Sequence, residues 1–305
     1  MRIFDLHCDT LYKTNDEKGS IVDNDFHFSL KKAEKYESYT QVMAIWIPDE
    51  YREEAAFNLV DSCYNLLEKQ LKEQSTFKKI DNFLNTKSKY NIVLSVEGGA
   101  ALCGKIENIK KFRDMGVRFL TLTWNGSNEI GDGILCENPR GLTAFGKQAI
   151  PELEKNNIII DVSHASDPLF WDVAELTQKP FVATHSNSRA ICANNRNLTD
   201  EQFKYIRKIG GIVGLNFHKY FITDNGYGSF NDLINHLEHF LSLGGENTVA
   251  LGSDFDGAEM PDYIEGVESM NDFYNYLLSK NYSEELVKNL FYYNVKNFCK
   301  KYDRL

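Results

Sequence analysis

Short, almost continuously apolar runs alternate along the chain with longer stretches whose apolar residues recur every three or four positions. The short runs cover residues 3–8, 41–47, 92–96, 117–123, 158–162, 181–184, 212–216 and 249–253. Several contain hardly a polar position, as in NIVLSV, NIIIDV, GIVGLNF and TVALGS. Strands of that kind are covered on both faces, as in parallel sheets whose crossovers are helices.

The intervening stretches predict helices over 51–74, 76–88, 105–115, 142–156, 167–178, 199–209 and 229–243, with two more, 271–279 and 283–301, closing the chain. Some ends are readable. Asp167 followed by Pro168 reads as an N-cap with proline in the first helical position. Thr199 and Gln202 have the spacing of a capping box. Gly210 stands where a helix hands over to a strand and needs a left-handed residue. Leu142, Phe145, Ala149 and Leu153 share one helical face.

Eight strand–helix units predict a (β/α)8 barrel of the TIM type, one domain over residues 1–305 with extra C-terminal helices. The alternative α/β architecture, a doubly wound open sheet, would carry a glycine-rich turn after its first strand. That position reads HCDTLYK. The longest irregular stretch, 125–141, would lie over the active face of a barrel.

Composition narrows the functions. Lys and Arg number 34 against 44 Asp and Glu, a formal charge of −10, and no basic cluster stands out, which disfavours nucleic acid. No apolar run is long enough to span a bilayer, and the first ten residues, MRIFDLHCDT, do not read as a signal peptide. The six cysteines show no CxxC spacing, so neither a disulfide framework nor a cysteine-based zinc site is expected. Free thiols in a reducing cytoplasm, and a chain that binds no membrane, are the expectation.

The informative feature is where metal-ligating residue types fall. His7 and Asp9 end the first strand, Glu97 the third, His164 and His185 follow the fifth and sixth, and Asp254 ends the eighth. The C-terminal strand ends of a barrel meet at one face. Residues i and i+2 of a strand point the same way, so His7 and Asp9 would project together. Three imidazoles and two carboxylates, one able to bridge, can hold two divalent metals about 3.5–4 Å apart. His236 and His239 read as a solvated helix face and His27 as a surface-loop residue, while His218, after strand seven on the active side, is no more than a candidate substrate contact.

These residues resemble the membrane (renal) dipeptidase family, zinc peptidases of the amidohydrolase-like (β/α)8 type. The resemblance runs in order through DLHCDT, VEGG, LTLTWN, GLTAFG, DVSHAS, THSNSRAICANNRN, GLNF and LGSDFDG. It implies two Zn2+ ions, one held by His7, Asp9 and Glu97, the other by Glu97, His164 and His185. It implies that Arg196 receives the substrate's terminal carboxylate and that Asp254 is the catalytic acid/base. Asp256 shares Asp254's strand face by parity, but the family pattern favours Asp254. The resemblance suggests a homodimer. One departure stands out: Trp124 occupies the position of a family histidine that stabilises the oxyanion, which makes Trp124 a substrate-side residue and Asn125 or Asn128 a candidate substitute donor. The implied activity is dipeptide hydrolysis by a metal-bridging hydroxide. Two other readings stay open: hydrolysis of another carboxylate-bearing amide such as an N-acyl amino acid, and a non-catalytic metal-binding homologue.

Overall fold

A computed structural model describes residues 1–84 and 87–305. Its strands are β1 (Arg2–Cys8), β2 (Ser38–Trp46), β3 (Phe77–Lys79), β4 (Tyr90–Glu97), β5 (Val117–Thr121), β6 (Ile159–Asp161), β7 (Val213–Leu215) and β8 (Val249–Leu251). All pairings between them are parallel, in the order β6-β5-β4-β2-β1-β8-β7. Residues 181–184 close the ring. Val182 bridges Asp161 and Ala183 bridges Val213, so this segment is the stave between β6 and β7 although it is too short for a ladder. Expected as a full strand, it is held by single bridges on each side.

Two apolar layers follow. Phe4, Val42, Val93, Phe119, Ile159, Val182, Ile212 and Ala250, one from each stave, pack together inside the barrel. The alternate residues, such as Ile3, Ile92, Leu120, Val213 and Leu251, join the layer between strands and helices. This double burial is why the strands read as continuous apolar runs.

The expected helix over 76–88 is replaced in part by strand β3, and residues 85 and 86 of that expectation lie outside the described residues. β5 reaches β4 only from Leu94 onward. The edge of residues 90–92 that faces away from β2 would otherwise lack a partner, and β3 pairs with it. The helix expected over 283–301 is three pieces: Glu284–Lys288, a π turn over Asn289–Tyr293, and Asn294–Tyr302. The last piece sends Val295, Phe298, Cys299 and Tyr302 into the barrel's inner cluster. It plugs the N-terminal mouth.

Helix ends are set locally. Thr199 and Gln202 form the capping box, and Gly210 takes φ 76° after the helix. The cap expected at Asp167 sits one residue earlier, because Ser166 Oγ accepts from Leu169 N, while the Asp167 carboxylate is taken by Arg189. No helix among the described residues is long and apolar enough to cross a membrane, and all six cysteines are free.

Candidate active site

His7 is aimed by a β-bulge. Strict alternation along β1 would put Ile3 and Cys8 on opposite faces, yet both lie in the outer layer, with Phe4 and Leu6 inside. The register with β2 slips by one, from Asp5 opposite Gln41 to Cys8 opposite Met43. The extra residue turns His7 inward beside Leu6. Asp9 then lies beyond the strand, at the N-cap of helix Thr10–Asp16, with its Oδ2 3.2 Å from His7 Nε2. The two side chains meet as expected, through a bulge and a cap rather than through strand parity.

Glu97, at the end of β4, is the hub. Its Oε1 lies 2.9 Å from His164 Nε2 and 3.5 Å from His185 Nε2, and its Oε2 lies 3.7 Å from His7 Nε2. His164 Nε2 and His185 Nε2 are 3.0 Å apart, and Asp254 Oδ1 is 3.9 Å from His7 Nε2. Three overlapping sets each bring their ligand atoms within 4.8 Å of one another: His7, Asp9 and Glu97; Glu97, His164 and His185; His7, His185 and Asp254. All six residues are buried.

The residues fit a pair of borderline-hard cations. The donors are imidazole nitrogen and carboxylate oxygen alone, as zinc accepts. Asp9 Oδ1 and Glu97 Oε1 are buried without a hydrogen-bond partner among the described residues. The charge balance agrees. Burial drives the Glu97 carboxyl well above its usual range and raises Asp9, despite the nearby His7. Burial opposes protonation of His7, but Asp9, Glu97 and Asp254 carry it up to about 10. Burial, with Arg196 and His7 adding, pushes His164 and His185 well below the ordinary histidine value, so both are neutral.

The neutral imidazoles are also held in the ligating tautomer. His164 Nδ1 meets Asn125 Oδ1 at 3.0 Å, and His185 Nδ1 meets Thr184 Oγ1 at 2.8 Å. A carboxamide oxygen can only accept, so His164 carries its proton on Nδ1 and leaves Nε2 free. Thr184 donates its hydroxyl to Asp161 Oδ2 at 2.6 Å and so accepts from His185.

Asp161 is a functional residue that the sequence reading missed. It also receives Thr121 Oγ1, Ser163 Oγ and the Thr184 amide, binding three staves beneath the imidazoles. The acid within NIIIDV was its only signal. Asn216, in GLNF, was missed likewise; its Nδ2 donates to Asp254 Oδ2 at 2.9 Å.

Asp254 and Asp256 lie past the end of β8, both in the left-handed region at φ 63° and 67°. Strand parity therefore does not apply there. The Asp256 carboxylate turns away, accepting from Thr10 Oγ1 at 2.5 Å and His27 N at 2.7 Å. Gly257 follows because a Cβ would sit 2.0 Å from Asp9 Oδ2 and 2.8 Å from Asp254 Oδ1.

A cavity of about 560 Å³ opens over the cluster, bordered by Asp9, Glu97, His164, Arg196, Asp254 and Trp124 among others. Arg196 is buried, and none of its three guanidinium nitrogens has a partner among the described residues. Burial lowers its pKa to about 10, against Asp254 and Glu97, which leaves it a cation at neutral pH. Trp124 and Asn125 border the same cavity, as do His218 and Phe221. Asn128 does not join them: its side chain is spent on the Leu122 carbonyl and the Ile130 amide within its own loop. His236 is fully buried, not solvated, because it bridges loops, accepting from Ser188 N and meeting the Ile222 carbonyl. His239 pairs with Asp200 at 2.7 Å. His27 receives the Asp256 amide.

The chain is similar in structure to a metallo peptidase from Rhodobacter sphaeroides, solved with a phosphinate mimic of the dipeptide L-Ala-D-Ala. The TM-score is 0.91 at 25% identity, over 98% of this chain and 99% of that one. It is 35% identical over 213 residues to an uncharacterised protein in the pqqA 5′ region of Klebsiella pneumoniae, covering 67% of this chain and 79% of the relative. It is 31% identical over 209 residues to Dipeptidase 3 of Homo sapiens, covering 66% of this chain and 43% of that protein, so the match spans less than half of the human relative. The model for membrane dipeptidase (peptidase family M19) matches residues 1–304. A parallel barrel, a buried carboxylate–imidazole cluster at its C-terminal mouth and these likenesses agree: the chain belongs to the membrane dipeptidase family, peptidase family M19, a family of metallo-dipeptidases.

Proposed function

We propose that this chain hydrolyses the peptide bond of dipeptides at a pair of zinc ions, one held by His7, Asp9 and Glu97 and the other by Glu97, His164 and His185. The observation that carries the reading is the Glu97 carboxylate set between imidazoles on both of its oxygens, with a buried arginine that has no hydrogen-bond partner among the described residues bordering the same cavity. Bound there, the ions would polarise the scissile carbonyl and lower the pKa of water from about 16 to about 7.

The chain's own residues do the rest. Asp254, steadied by Asn216, accepts the water's proton and delivers it to the leaving amine. Arg196 takes the substrate's terminal carboxylate, which relieves its own missing hydrogen bonds and fixes the register of the peptide bond over Glu97. Asn125 and Thr184 keep the histidine nitrogens pointed inward. The Rhodobacter relative's ligand mimics a dipeptide with a D-residue at its carboxyl end, which brings such substrates into the panel.

The test uses zinc-loaded protein with L-Ala-L-Ala, L-Ala-D-Ala, the amide of the better of these, and N-acetyl-alanine. Release of free alanine from a dipeptide, loss on chelation, restoration by zinc and poor cleavage of the amide are expected. Cleavage of N-acetyl-alanine with both dipeptides untouched would replace the reading with an N-acyl amino acid hydrolase. A stoichiometric two-zinc protein inert on all four would end it.

A further inference from the structure

Three aromatic rings border the cavity in an unbroken row. Tyr12 meets Trp46 edge-on with centroids 4.9 Å apart, and Trp46 meets Trp124 likewise at 4.9 Å. Trp124 in turn lies 6.4 Å from the His164 ring, so the row runs from the cluster outward. Each ring is only partly buried, although Leu11, Ile45, Ile47 and Thr123 beside them are fully so. Trp46 pairs in register with Glu97, which fixes the row's height at that of the reacting centre.

The order of staves gives the row a direction. Around the barrel it is β1, β2, β4, β5, β6, the 181–184 stave, β7, β8. Trp46 ends β2, and the loop bearing Arg196 follows the 181–184 stave, which lies diametrically across from β2. A dipeptide with its carboxylate at Arg196 and its carbonyl at Glu97 must therefore extend its amino-terminal residue toward the aromatic row.

We propose that Tyr12, Trp46 and Trp124 form the subsite for the amino-terminal side chain and select large apolar or aromatic residues there. This rests on the dipeptidase reading above. Edge-to-face contacts hold the rings in place, and their free faces offer area to another ring or a branched aliphatic group. Nothing in the row neutralises an acidic side chain: the nearby Lys13 ammonium already lies 4.0 Å from Asp256 Oδ1 and 4.4 Å from the Phe26 ring centroid.

The experiment compares kcat/KM for Phe-Ala, Leu-Ala, Gly-Ala and Asp-Ala, with the alanine in whichever configuration the first assay favours. Zinc content is measured in every protein. The unaltered chain should prefer Phe-Ala and Leu-Ala to Gly-Ala and Asp-Ala by roughly tenfold or more, the scale on which apolar pockets discriminate. Trp124→Ala should collapse the Phe/Gly ratio to within a few-fold of one, and Trp124→Phe should keep most of it. If Trp124→Ala loses zinc, Tyr12→Ala, which removes the ring at the other end of the row, must lower the same ratio. Equal cleavage of Gly-Ala and Phe-Ala, or a ratio untouched by these substitutions, overturns the subsite and leaves the dipeptidase reading standing. Failure to cleave any of the four overturns both.

Discussion

Two arginines are buried at opposite mouths of this barrel, and they are treated in opposite ways. Arg118, at the N-terminal mouth, spends every guanidinium nitrogen: Nε on the Asn157 carbonyl, Nη1 on that of Asp81 and Nη2 on Asp303 at 2.6 Å. The ring of Phe83 covers it. Arg196, at the C-terminal mouth, spends none among the described residues, though the Phe221 ring lies 5.3 Å away. The first charge is cancelled by its own chain and the site is closed. The second is desolvated with no hydrogen bond among the described residues, a cost that a chain bears only where something else completes the bonds.

The same contrast extends to the neighbourhoods. Around Arg118 the C-terminal helix fills the barrel with apolar side chains. Around Arg196 the staves lead into His7, Glu97, His164, His185 and Asp254, and burial holds the Glu97 carboxyl well above its usual range. One mouth is built for stability and the other for ligands.

The largest effect should come from Asp254→Asn. It keeps the shape and the Asn216 contact but not the base, so kcat should fall about 10²–10⁴-fold with zinc content unchanged; metal analysis beside turnover checks both halves. Arg118→Met tests the opposite mouth. It leaves Asp303 desolvated and alone, which should cost about 3–5 kcal/mol in denaturant unfolding while KM stays as it was. A shift in KM would show that the two mouths are coupled. Arg196→Met should do the reverse, raising KM for a dipeptide by roughly 10–150-fold, the scale of hydrogen bonds to a charged group, and affecting the dipeptide amide far less. An equal loss on the amide would show that the arginine is structural. Thr184→Val, which frees His185 Nδ1, should weaken zinc binding by about 10–100-fold, read by competition with a chelator.

Parts of this site were legible from the residues alone. Glu97, His164 and His185 each stand at the end of an apolar run, and runs of that kind specify where a stave stops. Arg196 carried no such mark; resemblance to a family pointed to it, and geometry then supplied the reason, a buried cation with no hydrogen-bond partner among the described residues. The bulge in β1 was not legible, because RIFDLHC alternates no more cleanly with an extra residue than without one. Asp161 was hidden by its surroundings: within NIIIDV it looks like a strand end, and only folding brings the Thr121 and Thr184 hydroxyls to its Oδ2 and the Thr184 amide to its Oδ1. The helix expected over 76–88 failed because an exposed edge of β4 claimed Phe77–Lys79.

Local patterning by itself determined the staves, the helices with strong caps and the fold class, because periodicity and capping are properties of neighbours along the chain. Tertiary structure alone decided which way His7 points, which of two aspartates two residues apart offers its carboxylate to the imidazole cluster, and which of two buried arginines has no hydrogen-bond partner among the described residues. Those outcomes depend on pairing register and on what distant segments bring to the same few cubic ångströms, and no window of sequence contains that information.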